Sequence, residues 1–520
     1  MPFTQSFLHP LSVLPFSPEN LFQSLVNSHA SAPEVGGLRP VKYLGDYLSQ
    51  LNAGTIVVEE PYTDADFLDD YTAYYARCFS SYGRWCRRLH FFSRSFDGEE
   101  FKGLVDHQSS LQSDYLGFVV ARPLPQAIIG RSVLRTFAPE GRRFFPVAKK
   151  YRVNLFGLDL YVEGLAFQEQ DTVLAACATV ALWSAFQKTG DLFGSPIPTP
   201  AVITRAATQA EHFGRPIPQH GLRIEELCNA IRHNGLEPEV VDLERTSKVP
   251  LASLLYGYLH MGLPAILCVE IPKVGHHAIT LTGCSIQQQI QRPRREWIVP
   301  MTGARIDKFY GHDDQVGPNA RLTVRASPSG FSERHPIRFE SSWVDGNGEP
   351  FLYPVAVVLP VYNKIRLTFL DLQSWIAPLH TVLAGVFPDS HGIEWDVHLT
   401  LSNDYKKELR SDRGLVDSAR SNLLFSPHPR FWWRATMTYR GLPCFDLLFD
   451  ATGIARSFPL SAIVWRVDAV AELVKHLVKT EPAATAVSKM LKSERYVGFL
   501  RKSIEVRDRP ADLMLDLHGR

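Results

Sequence analysis

A thiol and an imidazole stand in this chain at positions from which a fold could bring them together. Cys177 opens an apolar run inside Phe167-Gln-Glu-Gln-Asp-Thr-Val-Leu-Ala-Ala-Cys-Ala-Thr-Val-Ala-Leu-Trp183, with Gln170 seven residues ahead of it. One hundred residues further on, His277 heads an alternating stretch that ends at Gly283. The pattern predicts a helix that starts near Cys177 and a strand that starts near His277. A thiol at a helix N-terminus is acidified by unpaired N–H groups and by the positive end of the helix dipole. A histidine beside it completes the activation of the nucleophile. This is the layout of a cysteine hydrolase. Cys228, Cys268 and Cys284 lie in apolar patterns and are expected in the core.

These residues resemble the papain-like cysteine peptidases. Gln170 matches the glutamine of the oxyanion hole, Cys177 the nucleophile, and His277, followed by Ala278 and by Gly283, the strand histidine of that superfamily. The helical segment and glycine stop of Gly221–Gly235 are similar to those that the branch related to bacteriocin-leader peptidases carries between Cys and His. The resemblance covers roughly residues 160–325, about a third of the chain. It implies a papain-like core, in which the helix carrying the nucleophile packs on an antiparallel, barrel-like sheet.

Each site assignment has a neighbour that competes with it. Gln168 competes with Gln170, which would donate to an oxyanion together with the backbone N–H of Cys177. His276 competes with His277, and because adjacent strand residues face opposite ways, only one of them reaches the thiol. The residue that orients the imidazole by accepting its Nδ1–H is expected at Asp313, with Asp314 as the alternative. Related enzymes place this residue much sooner after the histidine, so the 36 residues between His277 and Asp313 imply an inserted, partly basic hairpin at Gln287–Met301. His312 beside the Asp pair makes only a weak metal-ligand set.

The elements that must hold these groups fall into three expected regions. Residues 1–150 read as an α+β region with a helical pattern over Asp64–His90 and a strand at Tyr115–Pro123 ended by a proline turn; the aromatic residues Phe79, Tyr82, Trp85, Phe91 and Phe92 are expected in its core. Residues 151–325 form the expected catalytic domain, with a helix at Ala201–His212 and a hairpin made by Leu263–Ile271 and His277–Cys284. Residues 330–520 read as a third, α+β region for substrate or partner recognition. It has strands at Tyr353–Leu359 and Phe445–Phe449, a helix at Asp371–Leu383 that Pro378 should kink or divide, a helix at Val467–Lys479, and surface charges Lys406, Lys407 and Arg434. The fold class is therefore α+β throughout.

Composition bounds the function. A hydrophobic content of 45% and a charged content of 21% over 520 residues are those of a globular chain of more than one domain. The net charge of +1 gives no general reason to expect nucleic acid, and the basic run Arg292-Pro-Arg-Arg295 reads as a solvated loop. No apolar stretch reaches the ~18 residues of a membrane span, and the first residues lack the pattern of a secretion signal. Seven cysteines without a CxxC pair favour neither zinc nor a disulfide framework, so a reducing, cytoplasmic setting is expected. The resulting expectation is a hydrolase that cleaves a peptide or isopeptide bond of a protein or peptide substrate, without cofactor or metal, through Cys177, His277, Asp313 and Gln170. The flanking regions would restrict access or recruit a specific protein partner. The same residues would also serve acyl transfer to an amine, as in transglutaminase-like enzymes, and a non-catalytic papain-like binding scaffold is the third reading.

Overall fold

The computed structural model describes residues 11–26, 31–104, 108–171, 177–209, 221–245, 249–288, 299–327, 336–341, 351–412, 415, 417–453, 459–480, 483–491 and 493–508. The chain is mixed α+β and contains a closed antiparallel barrel of six strands. By contact density it divides into two units: 1–247 with 262–285 and 307–361, and 248–261 with 286–306 and 362–520. This differs from the three consecutive regions expected from sequence.

The first unit begins with a five-stranded antiparallel meander, Ser12–Pro15, Thr55–Tyr62, Cys86–Phe92, Tyr115–Ala121 and Ile129–Leu134. Its inner strands are apolar on both faces because both faces are covered. Ile56, Leu89, Phe91 and Val119 pack with the helices Pro18–Leu25 and Arg39–Gln50. Val57, Phe92, Phe118 and Val120 share one core with Ala178, Trp183, Ile231, Ile266 and Ala278. Residues 1–150 are thus not a separate region: one face of their sheet completes the core around the Cys177 helix.

The expected helix over Asp64–His90 is much shorter. Asp64 caps it, accepting from the Phe67 N–H at 3.1 Å, and the helix ends at Ala73; Cys86–Phe92 is a strand. The acidic first turn was legible, but Arg87 and Arg88 belong to the sheet, where pairing with Thr55–Tyr62 outweighs their helical spacing. Phe91 and Phe92 are buried as expected, whereas Phe79 is fully exposed and Trp85 half exposed.

The barrel runs Ala265–Ile271, Gly275–Ile286, Ile306–Asp313, Gly317–Ala326, Ile337–Glu340 and Phe351–Val361, and closes where the last strand pairs with the first, Ile266 opposite Val358. The expected hairpin is present, with Val269 opposite His277 and Ile271 opposite Gly275. The strand expected in the third region at Tyr353–Leu359 instead closes the barrel; Pro354 is accommodated beside a register shift in the pairing with Ala265–Ile271. Glu237–Asp242 adds a further strand at its edge. Lys149–Leu155 and Leu158–Gly164 form a two-stranded hairpin turned at Phe156-Gly157, where both residues have positive φ.

The helix Cys177–Phe193 is rich in alanine and apolar residues and is buried on all sides from Ala178 to Thr189, the pattern of a central rather than a surface helix. Thr280 ties the barrel to it by donating 2.6 Å to the Ala181 carbonyl. Ile224–His233 is the expected helix, stopped at Gly235 with φ of 76°. The helix that follows the proline-rich loop spans Pro200–Ala207; the remainder of its expected length falls partly outside the described residues, as does Arg292–Arg295.

The second unit has a four-stranded antiparallel sheet, Ile393–Leu401, Phe431–Tyr439, Leu442–Asp450 and Leu460–Trp465, followed by helices Asp468–Lys479, Ala483–Leu491 and Glu494–Asp508. Pro378 does not divide the helix Phe369–Ala384, which runs through it. Arg434 is not a surface charge: it is largely buried and pairs with Glu408 and Asp446. Among the described residues no helix is long and apolar enough to cross a membrane.

Gly283 marks a close approach. A Cβ there would lie 2.4 Å from the Phe144 carbonyl oxygen, where the short strand Arg143–Phe144 pairs with the barrel. Gly283→Ala should therefore destabilise the protein by about 1–3 kcal/mol, as other overpacked sites do. Gly37→Ala, whose added methyl meets nothing within 4 Å, should cost nothing; urea denaturation of the two variants tests this.

Candidate active site

The barrel brings together three of the four expected residues. His277 lies at the start of its strand and is buried, while His276 is exposed. The His277 Nε2 is 3.0 Å from the Asp313 Oδ1. The Cys177 thiol lies near enough to the ring to help raise its pKa by hydrogen bonding, while Asp313 occupies Nε2. The carboxylate is thus on the ring nitrogen opposite to the one expected.

The distance of 36 residues in sequence is bridged by neighbouring strands, Gly275–Ile286 and Ile306–Asp313. Arg142 donates 3.1 Å to Ser285 and also pairs with Asp307, so the far ends meet as His277 and Asp313 do at the near end, and the two strands run antiparallel. Asp313 closes a tight turn into Gly317–Ala326: its Oδ1 also accepts from the Gln315 N–H at 3.0 Å, and its carbonyl accepts from Val316 at 3.0 Å.

His312 is structural rather than a metal ligand. Its Nδ1 accepts from the Asn319 N–H at 3.1 Å, which leaves the proton on Nε2 to donate to the Leu165 carbonyl at 3.0 Å. Burial lowers its pKa to about 4, so it stays neutral. Asn319, in the left-handed region at φ of 51°, accepts from Thr282 at 2.7 Å and donates to the Tyr47 hydroxyl at 3.0 Å. This scaffold fixes the Asp313 turn and carries no sequence signal that would distinguish it from an ordinary polar loop.

Asp314 is buried as well. Its Oδ1 is 3.4 Å from the His277 Nε2, close enough for charge attraction, but neither oxygen has a hydrogen-bond donor among the described residues. Burial, reinforced by Asp313 and Glu169 and partly countered by His277, raises its pKa to about 7. For His277, burial disfavours the charged ring, but the charge and hydrogen bond of Asp313, with help from Cys177 and Asp314, outweigh it and hold the pKa well above the usual value.

Gln170 is half buried and lines a cavity of about 550 Å³ together with Glu169, Asp171 and Asp314. Burial raises the Glu169 pKa to about 7, and that of Asp70 to about 8. The concentration of buried acids was missed by sequence reasoning, although Glu169 and Asp171 flank Gln170 directly. The ligand atoms of His277, Asp313 and Asp314 lie within 4.8 Å of one another, the one such group found among the described residues. A small hard cation would fit a nitrogen and two carboxylates, at the expense of the bond between His277 and Asp313. No protein-family model matches the chain, and no curated protein sequence matches it.

All seven cysteines are free. Burial pushes Cys86, Cys268 and Cys284 up to about 12 and raises Cys228 and Cys444. In a Cys78→Ser background, which removes the other partly exposed thiol, iodoacetamide should label Cys177 first by peptide mapping; faster labelling of a buried cysteine would contradict the site. Asp70 supplies a stability test. The folded state holds its proton to about pH 8, whereas the unfolded chain releases it near 4, so stability falls as pH rises between these values. Asp70→Asn removes that loss and should stabilise the protein at pH 8 by about 1 kcal/mol or more, one pKa unit being about 1.36 kcal/mol, with little gain at pH 4, as measured by urea denaturation.

Proposed function

We propose that the protein is a papain-like thiol hydrolase that cleaves a peptide or isopeptide bond. The observation that carries this reading is the buried His277 imidazole, bonded to Asp313 at Nε2 and in hydrogen-bonding contact with the Cys177 thiol. Packing of the Cys177 helix against an antiparallel barrel supports a papain-like core, and the cysteines, all free, support a reducing, cytoplasmic setting.

In this mechanism the proton of Cys177 passes to His277 and the sulfur attacks the carbonyl carbon. The oxyanion is stabilised by the Gln170 amide and the Cys177 N–H. Collapse of the intermediate breaks the C–N bond, and His277 gives its proton to the leaving amine. Water, deprotonated by His277, then attacks the thioester; the acid is released and the thiol regains its proton. Asp313 keeps the ring oriented and stabilises the imidazolium.

The convergence of His277, Asp313 and Asp314 within 4.8 Å favours a second reading, a divalent cation held by these three groups. Chelation separates the two, since thiol hydrolysis survives EDTA. The direct test is digestion of an amine-blocked peptide library, with new amino termini counted by mass spectrometry. Wild-type protein should generate them, Cys177→Ala and His277→Ala should not, and Asp313→Asn should slow their formation on the order of 10³–10⁴-fold, as in other triads. A reactive Cys177 that yields no new termini but transfers acyl groups to an added amine would overturn hydrolysis in favour of acyl transfer.

A further inference from the structure

The segment that carries Gln170 is fastened to the five-stranded sheet on both sides of that glutamine. Phe167 and Ser132 exchange backbone hydrogen bonds of 2.9 and 2.8 Å, and the Glu169 N–H donates 2.9 Å to the Ile129 carbonyl. The Glu169 side chain folds back on the same residue, its Oε2 accepting from the Ile129 N–H at 2.6 Å. Arg122, which follows the strand Tyr115–Ala121, donates 3.1 Å to the Glu169 carbonyl. On the other side of Gln170, the Asp171 carboxylate accepts from the Tyr75 hydroxyl. Glu169 and Asp171 are 6% and 5% exposed, and Ile129 is fully buried. Both neighbours of Gln170 are thus bonded in the interior, while Gln170 itself is half buried and lines the cavity. Asp314 lines the same cavity, and its Oδ1 lies 3.4 Å from the His277 Nε2, which brings the wall that holds Gln170 within one residue of the imidazole. A donor to an oxyanion works by being held in place before the charge develops, so the bonds that fix its backbone bear on the rate.

We infer that Glu169 is a positioning residue of the proposed oxyanion hole: bonded to Ile129 and Arg122, it fixes the backbone at Gln170, and Asp171 bonded to Tyr75 fixes it from the other side. The inference rests on the proposed hydrolase, because it deepens the account of that same site, and it gives residues 1–150 a part in the chemistry. Glu169→Ala removes the acceptor of a buried N–H and frees the segment; Glu169→Gln keeps an acceptor at the same reach.

Two reactions of the same thiol separate positioning from a merely structural role. With p-nitrophenyl acetate the Cys177 sulfur attacks the acetyl carbon, an oxyanion forms, and p-nitrophenolate leaves as the thioester is made; alkylation by iodoacetamide displaces iodide and forms no oxyanion. Both rates are measured on full-length protein in the Cys78→Ser background, with Cys177→Ala as the blank. Losing an oxyanion donor costs about 10²–10³-fold, so Gln170→Ala should slow acylation by about 10²-fold and Glu169→Ala, which loosens the donor, by about tenfold. Alkylation should stay within about twofold in both, and Glu169→Ala should add nothing to Gln170→Ala, because residues that act through one another are not additive. Glu169→Gln should recover most of the acylation rate. Thermal melts show whether Glu169→Ala folds; where it does not, Tyr75→Phe carries the comparison and should slow acylation, but not alkylation, and only while Gln170 is present. A loss that persists in full on top of Gln170→Ala overturns the positioning role, as does a parallel loss of alkylation in folded protein. Wild-type Cys177 that is alkylated but not acylated above the blank removes the hydrolase and the proposal with it, an outcome visible before any Glu169 variant is made.

Discussion

The buried bond between His277 and Asp313, 3.0 Å long, is the constraint on which the site depends. Both partners are almost fully removed from water. Taking an ion pair out of water costs several kcal/mol per ion, and the attraction repays this only when further hydrogen bonds satisfy the remaining lone pairs. Asp313 has such a bond from the Gln315 N–H, and the turn that supplies it is held by His312 and Asn319. The barrel therefore both positions the pair and stabilises its charge. Loss of either partner would strand a buried charge, which makes the pair structural as well as chemical.

The acids around that pair shape the electrostatics of the cavity. Asp314 and Glu169 have pKa values near 7 and Asp70 near 8, so their protonation changes around neutrality. Burial is the main cause in each case, and neighbouring acids add to it at Asp314 and Asp70. By contrast, in the second unit the buried Asp446 is held below the usual carboxylate range: burial works against ionisation, but Arg434 and Arg466 overcome it. Asp314 in the first unit has His277 at 3.4 Å but no hydrogen-bond donor among the described residues; the second unit neutralises its buried acid with two arginines.

Local rules failed where a neighbouring strand or sheet competed with them. The arginines late in Asp64–His90 have helical spacing, but Arg87 and Arg88 are paired in a sheet whose two faces are both covered. Arg434 was expected as a surface charge, yet two acids draw it inside. Phe79 and Trp85 are aromatic but exposed, whereas Tyr75, between the same helix and strand, enters the core.

What the sequence determined by itself were features with a short-range cause. The helix through the residues after Cys177, the helix start at Asp64, the stop at Gly235, the turn between Ile271 and Gly275, and the burial of His277 rather than His276 follow from capping, apolar periodicity and strand alternation. The choice of Asp313 as the carboxylate for His277 was legible too, because antiparallel neighbours bring the start of one strand beside the end of the next. Tertiary structure alone decided which ring nitrogen meets Asp313, that Asp314 is buried with no hydrogen-bond donor among the described residues, that residues 1–150 share a core with the Cys177 helix, and that Phe351–Val361 closes the barrel. Each of these depends on groups far apart in the chain, whose burial and mutual charge exist only once the sheets have closed around them.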